Sequence, residues 1–592
     1  MSEQVWFDFE RHLRLALLGV ALVYSRAMVE PERARFKRAE CLVPILLGIC
    51  SFWAITGGRV LNGRNIAWLQ GGDPSTYFLG WHFFRLTPWS LPPGANPRYG
   101  MEIGSAIAYT DNVPLFAFLF KAIARWLPMP FQYFGIWLLL CFVLQAWFAW
   151  LLVGLVTRVP LQRAGATLLF VVAPPLLYRL NGHYQMCAQW LVLAALYLCF
   201  GPRRLARGAA WPLLAYSVAL IHWYITVMVL GLWAADWLRR VIFEGWKPAD
   251  FVQLVAIPAL VLLAFWQTGL FVVGRLLVQH GFGEYKMNLL SLVDPSGWSY
   301  VLKDIPEGTS EYEGFNFLGL GGLLLVILAL PATKRAWPWL RAKREYWPLL
   351  ALFLGLTLFA ISNRIGFAGY SFEIPLPASW IERANMVRSS GRMFWPVYYV
   401  LLLICARSLF RNYSTRIATI LLLAIVSIQV VDTSAGWLEN RRHLLTFGST
   451  WDSPLRSPFW AQVPGTYRSL HTVPVRSMGP HYDDFAYFAA MHDMSTDAVY
   501  LARVDIAKRN AASGRAIHAL KSGQYEPGAL YVVDGRYEKA ARLGARPERD
   551  LVAWIDGFLM VAPNWKCRAQ CLAGGADSAA DCSTTCPGKN PG

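Results

Sequence analysis

Residues 41–60 read CLVPILLGICSFWAITGGRV, and no charge interrupts them until Arg59. A helix of about 20 apolar residues rises far enough to cross a ~30 Å hydrocarbon core. The pattern recurs near residues 131–157, 164–180, 184–200, 209–221, 223–238, 251–273, 316–331, 346–361, 393–409 and 416–432. That makes about eleven spans, and it predicts a mostly α, polytopic helical membrane protein. The composition agrees: 56% of the 592 residues are hydrophobic, and 27 Trp and 25 Tyr supply rings suited to the headgroup level.

The formal net charge of +18 could point to nucleic acid. Its distribution points to a membrane instead. Lys and Arg gather in alternate short loops, TRVPLQR, GPRRLARG, LRRVIFEGWK, TKRAWPWLRAKRE and ARSLFRNYSTR. The positive-inside rule then places the N-terminus in the cytoplasm and loops 60–130, 274–315 and 362–392 outside. This alternation requires two segments, not one, around His222. Residues 1–40 contain RLALLGVALVY and PERARFKRAE, a cytoplasmic or interfacial segment. Residues 41–432 form the transmembrane domain.

From residue 433 the apolar runs stop. GALYVVDG and DLVAWIDGFLMVAP read as strands, and STDAVYLARVDIAKRNAASGRAIHALKSG as a helix. Residues 433–592 are therefore expected to form a periplasmic soluble α/β domain. Six cysteines lie in or near spans and read as small apolar packers. The other four, Cys567, Cys571, Cys582 and Cys586, form two CxxxC turns in the tail. Two disulfides are expected there, cross-paired if the turns form a helical hairpin, with a zinc site as the rival reading.

Chemistry-bearing residues concentrate in the outer loops. GGDPSTYFLGWHFFR at 71–85 puts Asp73 before a proline and a helix. Asp-Pro makes a good helix start, so Asp73 reads as an N-cap, with Tyr77, Phe78, Trp81 and Phe84 as an apolar stripe lying on the membrane. Asp111 precedes a second amphipathic helix in TDNVPLFAFLFK. His183, His222, Asp294, Glu311 and Glu313 fall on the same side. MVRSSGRMFWPVYY carries Arg388 and Arg392 four residues apart, on one face if the segment is helical. Arginines there suit a phosphate, although headgroup snorkelling would also place them there. His481, Asp483, Asp484, His492 and Asp493 in HYDDFAYFAAMHD look metal-like, but a solvated surface explains them better. LGLGG at 318–322 opens a span and reads as a close helix contact rather than a nucleotide loop. No phosphate-binding lysine loop and no GxSxG elbow stands in a supporting context.

An acid after the first span, a structured first outer loop, many spans and an outer C-terminal domain resemble the GT-C fold glycosyltransferases. GGDPSTYFLGWHFFR, TDNVPLFAFLFK, YEGFNFLGLG and SSGRMFWPVYY further resemble a bacterial family of multi-span glycosyltransferase-like membrane proteins, over roughly residues 50–410. The resemblance implies an inverting transfer of a sugar from a polyprenyl-phosphate-linked donor to a glycan, lipid-glycan or protein acceptor. It implies Asp73 as general base, Arg388, Arg392 and Arg85 as ligands of the donor phosphate, and Asp111, His183, His222, Glu311 and Glu313 as residues that shape the acceptor site. It implies a bacterial inner membrane. The rival readings are a transporter or lipid flippase for envelope glycans, and a non-catalytic assembly factor. No nucleic-acid partner and no cofactor are expected. Many relatives in that class hold a metal with closely spaced acids, whereas Asp73 stands between Gly72 and Pro74. EDTA is accordingly expected to leave sugar transfer unchanged; full inhibition reversed by a divalent ion would overturn this.

Overall fold

The computed structural model describes residues 38–273, 280–330 and 344–565. The four tail cysteines and most of the N-terminal segment lie outside the described residues. The chain is a helical membrane protein with a C-terminal mixed sheet. By length and apolar composition five helices can cross a bilayer: Phe134–Val153, Pro248–Gln267, Arg344–Ile361, Ser390–Asn412 and Thr415–Asp432. A pair bent by 43°, Pro160–Val171 with Pro174–Leu180, makes a sixth. Four expected spans are shorter apolar helices, Glu40–Thr56, Tyr184–Phe200, Ala210–Ala219 and Gly319–Ala329. The stretch around His222 is two helices, the second being Trp223–Glu244, which carries Asp236, Arg239 and Arg240.

The helices that matter below are α1 (Arg38–Thr56), α2 (Gly72–Leu86), α3 (Pro114–Ala122), α4 (Phe134–Val153), α5 (Ala210–Ala219), α6 (Trp223–Glu244), α7 (Pro248–Gln267), α8 (Gly319–Ala329), α9 (Trp347–Ile361), α10 (Trp395–Asn412) and α11 (Thr415–Asp432). α1 packs on α4, α5 on α7, α6 on α9, and α8 on both α10 and α11. The LGLGG segment sets the last contact. A Cβ on Gly321 would stand 2.4 Å from the Ile425 carbonyl oxygen. Gly319 has a φ of +77°, and the Gln429 side chain fills the space beside it. That amide donates to the Leu318 carbonyl (3.1 Å) and accepts from Gly322 N–H (3.0 Å), so a buried polar group is satisfied between two spans.

Strands β1 (Arg364–Phe367) and β2 (Tyr370–Glu373) form an antiparallel hairpin after α9, and the C-terminal domain carries a five-stranded sheet in the order β4-β3-β5-β7-β6, where β3 is Ser469–Val473, β4 Ser495–Thr496, β5 Ala529–Val533, β6 Leu551–Ile555 and β7 Phe558–Ala562. β4, β3 and β5 run parallel, linked through helices α12 (Tyr482–Met491) and α13 (Ile506–Ser522); the β6–β7 hairpin is antiparallel. The segment between α2 and α3 extends this sheet. Gly100 N–H donates to Thr496 O (2.8 Å), and Thr496 N–H donates to Arg98 O (3.0 Å). The segment read as one helix over 495–523 is helical only from Ile506, where the Asp505 side chain accepts from the Ala507 and Lys508 amides.

α2 differs most from expectation. Its stripe does not lie on the membrane: every residue from Pro74 to Arg85 is buried. The C-terminal domain covers the face that would otherwise meet water. Ser75 and Thr76 face Asp483 (3.3 Å) and the Tyr482 hydroxyl (3.0 Å), and His82 Nε2 lies 3.0 Å from the Ala490 carbonyl. One side of the HYDDFAYFAAMHD stretch forms this seam, while His481, His492 and Asp493 are exposed, as expected of a solvated surface, and Arg98 pairs with Asp493 at the edge (2.7 Å).

At the opposite end of α6 from His222, Asp236 accepts from Arg239, Arg240 and the Trp211 indole, and Arg240 also pairs with Asp250 of α7 and Gln253. All four charged groups are fully buried. Removing one partner leaves a charge without compensation, which typically costs about 3–5 kcal/mol. Arg240→Ala is therefore expected to lower the apparent melting temperature of the detergent-solubilised protein sharply, read by intrinsic fluorescence.

Candidate active site

The loops that leave α1, α5, α7 and α9 and the loop that precedes α10 converge with the C-terminal domain around one cleft of about 780 Å³. Asp73 faces it. The helix it opens is capped at Gly71, and Asp73 caps nothing; Gly71 N–H instead donates to the Ser75 hydroxyl (2.7 Å). The expected N-cap role is corrected: helix α2 begins at Gly72, one residue before Asp73, so the carboxylate projects sideways. Its Oδ2 lies 3.4 Å from His183 Nε2. One turn on, the Tyr77 hydroxyl donates to Gly182 O (2.7 Å), fixing the bend that brings His183 beside Asp73.

Behind His183 sits a buried ion network. Glu313 accepts from Arg179 (2.6 Å to Oε2) and from Arg392 (2.8 Å from Nε to Oε2), and the second nitrogen of Arg392 reaches Oε1. His183 Nε2 is 3.9 Å from Glu313 Oε1. Arg392 also stacks on Tyr224, 4.7 Å from the ring centre. Arg392 is therefore the partner of Glu313, and the paired role expected for it with Arg388 is corrected. Arg388 makes no ion pair among the described residues. Its guanidinium lies over Tyr285 at 5.4 Å, and Ser389 N–H donates to the Tyr224 hydroxyl (3.2 Å), which holds the turn beside it.

The fields here follow from burial and neighbours. Arg392 and Arg179 hold the Glu313 carboxyl far below the usual carboxylate range, outweighing its burial. Burial, with the charge of Glu313, pushes Asp73 up. Asp111, across the cleft, is pushed up to about 7 by burial and by Asp73. Burial lowers His183 to about 4, so it is a neutral imidazole at neutral pH and offers one N–H. His222 stacks on Tyr224, 5.6 Å centre to centre, at the α5–α6 break.

Of the residues singled out in the sequence, Asp73, Asp111, His183, His222, Glu313, Arg388 and Arg392 all border the cleft. Three do not, Arg85, Glu311 and Asp294, and the site roles expected for Arg85 and Glu311 are corrected. The Arg85 guanidinium donates to the carbonyls of Ala124, Leu127 and Pro128, stapling α2 to the end of the α3 segment. Glu311 pairs with Lys286 and accepts from Asn288 (2.7 Å). Asp294 accepts backbone amides of Ser296 and Ile305 within its own loop.

Sequence reasoning missed the C-terminal contribution. Met478, Tyr500, Ala502 and Arg503 line the same cleft. The Tyr500 hydroxyl acts on Asp73, holding its carboxyl down against the effect of burial. Ala502 N–H donates to Tyr109 O (2.9 Å), which lays this strand of chain along the Asp111 turn. Nothing in VYLARVD marks these residues: the segment read as helix, and its placement depends on tertiary contact. Arg179 was equally unmarked, an arginine at the end of an apolar run. Among the described residues no cluster of three or more metal-ligating side chains occurs.

The fold and site define a helical membrane protein in which an acid, Asp73, and an arginine, Arg388, line one cleft. The chain belongs to the family described as Domain of unknown function (DUF6311), whose model matches residues 45–434, and the DUF6311 C-terminal domain matches residues 459–563. No curated protein matches it. Among solved structures, the chain is similar to the archaeal oligosaccharyltransferase AglB from Archaeoglobus fulgidus in complex with an inhibitory peptide and a dolichol-phosphate. The identity is 13%, 86% of this chain and 72% of that one are covered, and the TM-score is 0.37. The Archaeoglobus fulgidus oligosaccharyltransferase tethered to an acceptor peptide containing the NVT sequon matches at 13% identity, 87% and 72% coverage, and a TM-score of 0.39.

Asp111 offers a direct test of the electrostatics. Its folded value of about 7 lies above the ordinary value near 3.9. The folded state then binds the extra proton, and Asp111 costs stability that grows as pH rises from about 4 to about 7. Asp111→Asn is expected to raise the apparent melting temperature at pH 8, with the gain shrinking as pH falls below 7.

Proposed function

We propose that this protein is an integral membrane glycosyltransferase that moves a sugar from a polyprenyl-phosphate-linked donor to a glycan, lipid-glycan or protein acceptor on the outer face of a bacterial inner membrane. The observation that carries this reading is that Asp73, freed from any capping role, and Arg388 border one cleft at the ends of apolar helices. A lipid-linked donor keeps its carrier in the bilayer, so its reacting carbon must stay near the surface. The other end of the cleft is apolar, lined by Ile221, Trp223, Phe265 and Leu270 from α5, α6 and α7 and their ends, a surface fit for the first isoprene units.

The chemistry uses these groups directly. Asp73 takes the proton from the acceptor hydroxyl or amide as that atom attacks the anomeric carbon. The bond from that carbon to the phosphate oxygen breaks, its electron pair leaves with the lipid phosphate, and the configuration inverts. Arg388 stabilises the charge gathering on the departing phosphate. Neutral His183 donates to Asp73 and orients it, given the tautomer with hydrogen on Nε2. Glu313 keeps Arg179 and Arg392 neutralised and raises the basicity of Asp73. The reaction as proposed needs no cofactor.

The test is transfer from a polyprenyl-phosphate sugar by the purified protein in detergent. Asp73→Asn is expected to cut turnover by about 10²–10⁴-fold with an unchanged melting temperature. Arg388→Ala is expected to raise KM for the donor and leave that for the acceptor alone. Because Asp73 is pushed up, wild-type turnover should fall on acidification at a pH above the ordinary carboxylate range. An Asp73→Asn variant that keeps wild-type turnover would overturn the reading.

A further inference from the structure

The β1–β2 hairpin has two unlike faces. Its register sets Arg364 opposite Glu373, Ile365 opposite Phe372, Gly366 opposite Ser371 and Phe367 opposite Tyr370. Side chains alternate across a strand, so Arg364, Gly366, Ser371 and Glu373 share one face, and Ile365, Phe367, Tyr370 and Phe372 share the other. The first face meets protein and is polar. A Cβ on Gly366 would stand 2.8 Å from Glu311 Oε1 and 3.1 Å from Asn288 Nδ2. Leu289 N–H donates to Gly366 O (2.9 Å), the Asn288 amide donates to Ala368 O (3.0 Å), and Arg364 pairs with Glu373 (2.9 Å). The second face is bare: Phe367 is 56% exposed, Phe372 67% and Tyr370 82%. Ile374, just after β2, and Trp380, on the short helix Ala378–Ala384, are exposed as well.

A two-stranded hairpin is marginal on its own, and a contiguous row of aromatic rings facing water is disfavoured. The position of the hairpin supplies what the row lacks. It begins directly after α9, which belongs to a helix long and apolar enough to span a bilayer. In α9 only Leu349 and Ala360 are buried, while Leu354 and Leu358 are exposed, so most of this span's surface faces hydrocarbon. The bare face continues that surface past the end of the span. A four-residue strand at ~3.3 Å per residue reaches only ~13 Å, which keeps the whole face near the point where α9 leaves the lipid. Phe, Tyr and Trp are the rings that favour the headgroup level. Here the pattern read from the sequence for α2, an apolar stripe resting on the membrane, occurs on an element that no other part of the described chain covers.

We propose that the apolar face of the β1–β2 hairpin, with Ile374 and Trp380, docks on the lipid surface and holds one wall of the cleft at the bilayer. The chain leaves this face through the Ala378–Ala384 helix and then supplies Met386 and Arg388, which border the cleft. The opposite face of the hairpin grips Glu311 and Asn288, two residues from the Glu313 turn on one side and beside Lys286 on the other. The height of the Arg388 wall is thereby tied to the lipid surface. The proposal stands on the membrane fold and not on the transferase reading.

The probe is phosphatidylglycerol–phosphatidylcholine nanodiscs with plain or tail-brominated lipids, each holding one copy of the full-length protein. Phe372→Trp and Tyr370→Trp each add an indole, read as the difference in emission from wild type in the same discs. Brominated lipid is expected to cut this added emission about twofold or more, and bromines near the headgroup end of the tail should act more strongly than bromines near its methyl end, as for rings ~5–10 Å into the interface. Leu543→Trp, at an exposed position of the C-terminal domain, should keep its added emission in both lipids. Adding Phe367→Asp to Phe372→Trp puts a charge on the same face and should restore most of the lost emission. Should Phe372→Trp not fold, Tyr370→Trp carries the comparison, with Trp380→Phe removing a share of the quenchable wild-type emission. Added emission at 370 and 372 that ignores the bromines overturns the proposal. Emission that ignores them in single-copy discs and shifts when two copies share a disc also overturns it, and makes a second chain the occupant.

Discussion

The site depends on one carboxylate. Glu313 sits in a short 3-10 turn, buried, between the guanidiniums of Arg179 and Arg392. Among the described residues neither arginine makes an ion pair with another carboxylate, so without Glu313 both would lose their salt-bridge partner in a low-dielectric interior. The turn can hold that position because glycines admit the backbone. A Cβ on Gly314 would stand 2.1 Å from Lys286 O, and one on Gly391 would stand 2.4 Å from Gly314 Cα. The same close approach brings the loop before α10 against the loop after α7. Glu313 therefore joins three segments that are distant in sequence, and its field reaches His183 and Asp73.

From that centre the polarity of the cleft follows. Pairing Arg392 with Glu313 takes it out of contention for an anion and leaves Arg388 as the cation on the membrane-domain side. Burial, joined by the negative charge of Glu313, makes Asp73 a stronger base than an exposed aspartate, while Arg392 and Arg388 oppose that shift. A base and a phosphate-binding cation must coexist within one substrate's length without neutralising each other. Here the buried pair absorbs the excess charge, and His183 stands between the base and the pair.

Much of the fold was legible in the sequence because bilayer physics writes itself in long apolar runs. The segments 131–157, 251–273, 346–361, 393–409 and 416–432 each contain or overlap a helix long and apolar enough to span, and LGLGG was read as a helix contact from its glycines alone. The site was half legible. Acids and arginines near helix ends stand out against an apolar background, which is how Asp73, Asp111, His183, Glu313 and Arg388 were found. What composition cannot report is pairing. Arg392 and Arg388 look alike in SSGRMF, and only the three-dimensional path of Glu313 separates them. Arg85 looked like a site residue because it closes the Asp73 segment, but a fifteen-residue helix carries it to the far end, where three backbone carbonyls accept from its two terminal nitrogens.

The C-terminal domain was least legible, and the reason is instructive for α2. Read alone, that helix shows an apolar stripe and a polar face, which is the pattern of a helix lying on a membrane. The polar face is real but it is not wet. Ser75, Thr76 and His82 meet Asp483, Tyr482 and a backbone carbonyl of α12, so the amphipathic pattern encodes a polar protein contact instead of solvent. A helix clamped on both faces holds its first turn still, and Asp73 is on that first turn. The rigidity that a cap would have given the carboxylate is supplied by the seam, and this leaves the carboxylate facing the cleft beside His183. The domain that seals the helix also sends Tyr500 to the same carboxylate, so orientation of the base and closure of the cleft are set by a single docking event.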